Sequence, residues 1–134
     1  MLFAAAKELT IVSVADFHLN SMYDPDVPSS YFCDKYKGMA EANIHAPLGR
    51  YGCDPPEELV RLILKEIAPL EPDVVLVPGD FLGHWMSPDP FSVPDKTYAI
   101  ILRTLSKVQK LLTEYLPNSI MLPSFGNNDT KYHY

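Results

Sequence analysis

Three short apolar runs alternate along the chain with two longer segments of helical periodicity. Residues 9–15, 73–78 and 119–123 are rich in β-branched and aliphatic side chains, which predicts strands. Residues 54–68 and about 97–115 carry apolar side chains at intervals of three and four, which predicts helices. The order strand, loop, helix, strand, helix, strand therefore predicts an α/β fold with a right-handed parallel layer.

The predicted helices and the middle strand have more specific signatures. Asp54, Pro55 and Glu57 suit the N-cap, N1 and N3 positions of a helix that ends before Pro69, so we expect a capping box there. The expected apolar stripe of this helix is Leu59, Leu62, Ile63 and Ile67, and that of the second is Ile101, Leu105, Val108, Leu112 and Leu116. The strand at 73–78 is apolar enough to predict burial on both faces.

Two long irregular segments separate these elements. Residues 20–53 are rich in Tyr, Pro, Gly and Asp, and residues 87–95 form a second Pro-rich loop. The two cysteines, Cys33 and Cys53, are either separate buried thiols or a disulfide that staples the first segment. We favour the bridge because that segment has little apolar periodicity of its own; it would add about 3 kcal/mol of stability and would indicate an oxidising compartment.

Composition narrows the class of protein. A chain of 134 residues with 47% hydrophobic and 21% charged residues is ordinary for one globular domain. A formal net charge of −6 argues against a nucleic-acid duplex or an anionic membrane as partner, because both attract basic surfaces. No apolar stretch approaches the roughly 20 residues of a membrane span, so we expect no transmembrane segment.

Polar side chains follow each of the three predicted strands. Asp16 and His18 follow the first strand, Asp80 the second and Asn127 the third. Open α/β sheets place their sites at the carboxyl ends of strands. Oxygen donors with one imidazole suit a divalent cation that handles phosphate oxygens. Each motif alone is also typical of a solvated strand end or a turn, and Asn128 begins a glycosylation sequon; their joint order favours the metal site.

A resemblance to a known family rests on longer motifs. These motifs are Asp16-Phe17-His18-Leu19-Asn20, then Tyr23-Asp24-Pro25, then Cys33, and then Tyr51-Gly52-Cys53-Asp54-Pro55-Pro56. Together they resemble the acid sphingomyelinase-like phosphodiesterase branch of the calcineurin-like metallophosphoesterases, over about residues 9–134. The resemblance implies that residues 1–134 are the N-terminal half of such a domain, which is a four-layer αββα sandwich.

The resemblance also implies roles for individual residues. Asp16 and His18 would bind the first metal ion, Asp80 would bridge both ions, and Asn127 would bind the second. His84 matches a family histidine that contacts the substrate phosphate and helps to protonate the leaving group. The same resemblance pairs the two cysteines, Cys33 and Cys53, in a disulfide.

Two departures from the family pattern matter. Asn128 stands where the family usually has a histidine, and an amide donates a hydrogen bond without delivering a proton, so Asn128 is expected to bind substrate only. The form Gly126-Asn127-Asn128-Asp129 is similar to vacuolar endopolyphosphatases. The further histidine ligands of the family, including a Gly-His-X-His motif, are not in these 134 residues.

The expected function is that of a metal-dependent phosphoester hydrolase in which two divalent ions activate a water molecule. The resemblance implies Zn²⁺, while the ligand chemistry also permits Mn²⁺ or iron. Phospholipid head groups, nucleotides and polyphosphate are all compatible substrates, and a secreted, lysosomal or vacuolar setting follows from the cysteines and the resemblance. The alternative is an inactive, truncated remnant or interaction module that exposes apolar surface and self-associates, or is completed by a missing C-terminal half.

Overall fold

The computed structural model describes residues 8–26, 45–84 and 98–130. In these ranges it contains three strands and two α-helices. They are β1 (Ile11–Ser13), α1 (Glu57–Ile67), β2 (Val74–Val77), α2 (Tyr98–Tyr115) and β3 (Ile120–Pro123). Single 3₁₀ turns follow α1 at Ala68–Leu70 and β3 at Asn127–Asp129. Cys33 and the predicted loop 87–95 lie outside the described residues.

The sheet is parallel, with β2 between β1 and β3. Ile11 pairs with Val74, which pairs with Ile120, and Leu76 pairs with Leu122 two residues further along. Because all three strands run in one direction, their carboxyl ends meet at one edge. The predicted α/β order is thus confirmed, although each strand is shorter than its apolar run.

Both helices pack on the same face of the sheet. Val75 and Val77 of β2 are fully buried against α1 and α2. The residues that the helices contribute to this core are Val60 and Leu64 of α1 and Ile101, Val108, Leu111 and Leu112 of α2. The predicted stripe of α2 is confirmed, since Leu116 is also buried and Leu105 packs against the core.

The predicted stripe of α1 was wrong in part. Leu62 and Ile63 are exposed, whereas Val60 and Leu64 are buried. Residues 60 and 64 are one helical turn apart, and so are residues 59 and 63, so spacing alone does not choose between them. The packing of α1 on the sheet makes the choice.

Salt bridges join the two helices outside the core. Glu57 of α1 accepts from Lys107 of α2 at 2.6 Å and from Arg61 at 2.8 Å, and Arg61 also meets Glu114 at 3.0 Å. The hydrogen bond from Lys107 lowers the pKa of the Glu57 carboxyl. These contacts fix α1 and α2 side by side over the sheet.

The opposite face of the sheet is apolar and open. Ile11, Leu76, Ile120 and Leu122 lie on it, with exposed fractions of 54%, 37%, 62% and 53%. We call these four residues the open face. The prediction that β2 is buried on both faces was therefore wrong for the described residues, because helices cover only one of the two faces. No helix among the described residues has the length and apolar character to cross a membrane.

Candidate metal centre

Backbone hydrogen bonds continue beyond the strands and set the first two loops side by side. The Asp16 N–H donates to Gly79 O at 3.1 Å, and the His18 N–H donates to Asp80 O at 2.9 Å. An isolated parallel bridge follows between Leu19 and Leu82, both of which are fully buried. Because this pairing fixes the relative register of the loops, Asp16 and His18 lie next to Asp80.

Asp16, His18 and Asp80 form a cluster that suits one cation, and we call it the ligand triad. His18 Nε2 lies 3.7 Å from Asp16 Oδ1 and 4.0 Å from Asp80 Oδ2. One ligand atom from each residue falls within 4.8 Å of the others. Ligands around an ion at about 2.1 Å stand roughly 3–3.5 Å apart, so small side-chain rotations would complete the geometry.

The second ring nitrogen of His18 is already occupied. His18 Nδ1 lies 3.1 Å from the carbonyl oxygen of Leu82. A carbonyl oxygen only accepts, so Nδ1 carries a proton, and Nε2 is the ring nitrogen that faces the two carboxylates and is left to bind a cation. Histidines that bind metals are usually held in this way, with the other N–H on a carbonyl or carboxylate.

The backbone of all three residues is in the left-handed region. The φ angles are +57° at Asp16, +39° at His18 and +55° at Asp80. Asp and His tolerate this region better than most residues, but such conformations still cost about 1 kcal/mol each and cluster at functional sites. Glu71 is the other described non-glycine residue with a positive φ.

Two glycines let the ends of β2 and β3 touch. Gly79 has a φ of +102°, and a Cβ there would overlap the backbone nitrogen of Gly126. A Cβ on Gly126 would in turn overlap the Asp80 carboxylate. The two positions require glycine because of close approach, and at Gly79 also because of its φ angle.

Asp129 joins the loops after β2 and β3 through its carboxylate. Oδ2 accepts from the N–H groups of Asp80 and Gly126, both at 2.8 Å. Oδ1 accepts from Phe81 at 2.7 Å and Leu82 at 3.2 Å. Asp129 is buried, so its carboxylate replaces water as the acceptor for four backbone donors.

Asn127 and Asn128 sit beside Asp80 but differ in burial. The Asn128 N–H donates to Asp80 Oδ1 at 2.8 Å, and the Asn128 side chain is buried. Asn127 lies between Gly126 and Asn128, both of which contact Asp80, and it is exposed. The structure therefore brings the predicted second-metal ligand to the edge that holds the ligand triad.

His84 lies on the other side of His18. The two imidazoles stack with ring centroids 4.2 Å apart. His84 Nδ1 lies 2.8 Å from Asp54 Oδ1, and the His84 N–H donates to Asp54 Oδ2 at 2.5 Å. His18, Asp54 and His84 also offer ligand atoms within 4.8 Å of one another. The ligand triad is the better cation site, because both Asp54 oxygens already bind His84 and His18 Nδ1 binds a carbonyl.

The predicted capping role of Asp54 was wrong. Pro56 is the N-cap of α1, and no side chain caps this helix. The Asp54 carboxylate turns away to bind His84, 30 residues later. The sequence analysis also named Asp129 only as part of a motif and did not predict its hydrogen bonds to the loop after β2. Sequence spacing carries no signal for either contact, because both depend on how separate loops meet.

The cysteine pairing stays a prediction. Cys53 is the one cysteine among the described residues, and it is not a free thiol. Its expected partner, Cys33, lies outside them.

The fold and the cluster at the strand ends define a class: α/β proteins with a candidate cation site at the carboxyl edge of a parallel sheet. No protein-family model matches the chain. It is 31% identical over 121 residues to "Acid sphingomyelinase-like phosphodiesterase 3b" of Homo sapiens, covering 87% of this chain and 24% of that protein. It is 32% identical over 83 residues to "Sphingomyelinase phosphodiesterase D" of Dictyostelium discoideum, covering 60% of this chain and 17% of that protein.

These matches confirm the resemblance. The chain is similar to the acid sphingomyelinase-like branch of the metallophosphoesterases, and the similarity is to an N-terminal portion of that branch. It spans about a quarter or less of the length of these curated relatives.

Proposed function

We propose that the chain carries the first part of a metal-dependent phosphoester hydrolase site. The observation that carries this proposal is the ligand triad, in which His18 has its Nδ1 proton held by Leu82 O and its Nε2 facing two carboxylates. The relatedness to phosphodiesterases supplies the reaction class.

The donor set fits a divalent cation. Two carboxylates and one neutral imidazole suit Zn²⁺, and equally Mn²⁺ or Fe²⁺. When bound, one or two such ions polarise phosphoryl oxygens and lower the pKa of a water molecule towards 7. Asp16 and His18 would hold the first ion, Asp80 would be shared, and Asn127 would offer its amide oxygen to a second.

The other residues of the site have different roles in this proposal. Gly79 and Gly126 bring the loops of Asp80 and Asn127 into contact, so that donors from β2 and β3 face the same phosphate. His84, half exposed beside His18, contacts the phosphate and supports the leaving oxygen. The buried Asn128 is a poor substrate ligand through its side chain, and its described contribution is the N–H that it gives to Asp80.

The substrate class follows from the same chemistry. A phospholipid head group, a nucleotide and polyphosphate all present phosphoryl oxygens, and the relatives' names favour a phosphodiester. We place the protein outside the cytosol, in a secreted, lysosomal or vacuolar setting, because a Cys33–Cys53 bridge would need oxidising conditions.

The test compares the chain with Asp80→Asn, which keeps an oxygen acceptor for the Asn128 N–H. Zinc content by mass spectrometry and hydrolysis of bis-p-nitrophenyl phosphate are both measured. We expect Asp80→Asn to lose at least about tenfold in zinc affinity and about a hundredfold or more in hydrolysis. Asp24→Asn, an exposed carboxylate in the loop after β1, is the matched control and should change neither. Equal zinc content and equal rates in all three proteins would refute the proposal.

A second candidate function is that of an interaction module, and the open face favours it. Four neighbouring aliphatic side chains on one sheet face mark a surface that another protein layer covers. The occupant that we propose is a second copy of the chain or the remainder of a longer chain. Light scattering distinguishes the two, because only the first gives a mass that rises with concentration.

A further inference from the structure

We propose that Asp54 is the positioning residue of His84. Its carboxylate fixes the imidazole so that Nε2 meets the oxygen that leaves phosphorus. The inference rests on the proposed hydrolase function and gives Asp54 a role in the reaction, whereas the sequence motifs predicted it only as a helix cap.

The first support is the two-point contact. Asp54 Oδ1 lies 2.8 Å from His84 Nδ1, and Oδ2 lies 2.5 Å from the His84 backbone nitrogen. One carboxylate therefore holds both the ring and the chain that carries it. The Asp54 side chain is 11% exposed and that of His84 is 49% exposed, so a shielded anion orients an accessible imidazole.

The second support is the way in which the chain makes room for Asp54. A Cβ on Gly83 would stand 2.9 Å from Asp54 Oδ2 and 3.3 Å from Asp54 Cβ. Any side chain there would press on the carboxylate. The absence of a side chain immediately before His84 is thus what admits Asp54 at hydrogen-bond distance.

The third support is the anchoring of Asp54 itself. The Asn20 N–H donates to Pro55 O at 2.9 Å, and the Cys53 N–H donates to Arg50 O at 3.1 Å. Pro56, two residues further on, is buried at the start of α1. The segment that carries Asp54 is held on both sides, so the carboxylate is a fixed reference for His84.

These contacts determine where each proton goes when the bond between phosphorus and the leaving oxygen breaks. The carboxylate accepts a hydrogen bond from Nδ1–H, which leaves Nε2 as the ring nitrogen for the substrate. When the bond between phosphorus and the leaving oxygen breaks, that oxygen takes the Nε2 proton of the imidazolium. The imidazole ring is then neutral, and its Nδ1–H still donates a hydrogen bond to Asp54. The new bond to phosphorus comes from a water-derived oxygen, and the proton released by that water restores the imidazolium.

One test reads the pairing without any activity. Long-range proton–nitrogen NMR of the metal-free chain, above the usual pKa of histidine, reports which ring nitrogen carries the proton. We expect His84 to be mainly Nδ1–H in the wild type and to shift towards Nε2–H in Asp54→Asn, whose amide can donate to Nδ1. The control is Asp26→Asn, since the exposed His45–Asp26 pair at 2.6 Å is of the same type. It should leave His84 unchanged. An unchanged His84 tautomer in Asp54→Asn would overturn the proposal.

A second test reads the role in the reaction. The zinc-loaded chain hydrolyses methyl p-nitrophenyl phosphate, which has a good leaving group, and methyl phenyl phosphate, which has a poor one. We expect Asp54→Asn to lower kcat about tenfold or more for the phenyl ester, with less than about a threefold loss for the nitrophenyl ester and little change in KM. Equal losses on both esters would reduce Asp54 to a structural residue and overturn the proposal.

Two further outcomes are distinguishable. If Asp54→Asn loses zinc while the Asp26→Asn control keeps it, Asp54 belongs to a cation site with His18 and His84, and the positioning role is wrong. If the wild type binds zinc but hydrolyses neither ester, the proposed function and the leaving-group role both fail, and the tautomer shift still decides whether Asp54 orients His84.

Discussion

The carboxyl edge of the sheet and its open face differ in a way that composition does not reveal. The edge is polar, yet it is held by many short contacts, including four to Asp129 alone. The open face is apolar, yet its four aliphatic side chains are 37–62% exposed. The polarity of a region therefore does not predict whether its side chains are packed and bonded or exposed to solvent. The polar edge is held by short hydrogen bonds, whereas the apolar face is partly exposed to solvent.

The largest predicted loss of stability comes from a charge on the buried face of β2, and the same charge on the open face is its control. Val75→Asp puts a carboxylate into the core at a fully buried position, and we expect a loss of more than about 4 kcal/mol or no folded protein. Leu76→Asp, the adjacent residue on the open face, should cost only about 1 kcal/mol through strand propensity. Urea unfolding followed by circular dichroism measures both.

The same pair of variants tests whether the open face is free in solution. Leu76→Asp should lower any concentration-dependent mass in light scattering. Equal destabilisation by the two substitutions would mean that the open face is covered, and the comparison with the carboxyl edge would then fail.

A smaller but still large effect should follow removal of the shared acceptor at the edge. Asp129→Ala leaves four backbone N–H groups without their carboxylate, and we expect a loss of about 3–5 kcal/mol in the free energy of unfolding. Ser124→Ala, an exposed position on the same connection, should change stability by less than about 0.5 kcal/mol. A loss below about 1 kcal/mol in Asp129→Ala would show that the edge is not held as described.

The smallest predicted effect comes from two glycine substitutions, and comparing them separates the cost of a positive φ angle from the cost of steric overlap. Gly79→Ala and Gly49→Ala both place a methyl group at a positive φ, of +102° and +113°. At Gly49 the methyl would meet only the Pro56 ring, 3.2 Å away, whereas at Gly79 it would overlap the backbone of the neighbouring loop. We expect about 1 kcal/mol for Gly49→Ala and about 2–3 kcal/mol for Gly79→Ala in thermal unfolding. Equal values would mean that β2 and β3 are not in close contact at their ends.

The sequence was sufficient wherever periodicity and chain order carry the information. The parallel order of the strands and the buried stripe of α2 both follow from such patterns and were confirmed. Asp16, His18 and Asp80 were expected to converge because parallel strands end at one edge, and they lie together. Whether they bind a cation is still a prediction.

The sequence was insufficient where a helix has apolar residues on more than one face, and where a polar side chain has more than one possible hydrogen-bond partner. The helix α1 has apolar residues around much of its circumference, so only packing shows that Val60 and Leu64 face the sheet. Asp54 satisfies every rule for a helix cap and still binds a histidine in another loop. The choice between a local acceptor and a distant one depends on tertiary distances, which no local pattern encodes.

The anchoring by Asp129 has a consequence for the dynamics of the molecule. Since one side chain secures the amides of Asp80, Phe81, Leu82 and Gly126, these four positions should open together rather than one at a time. Native-state hydrogen exchange should give them a single common protection factor, so that the two connections behave as one cooperative unit. Thermal fluctuations would then disturb Asp80 only in rare concerted events.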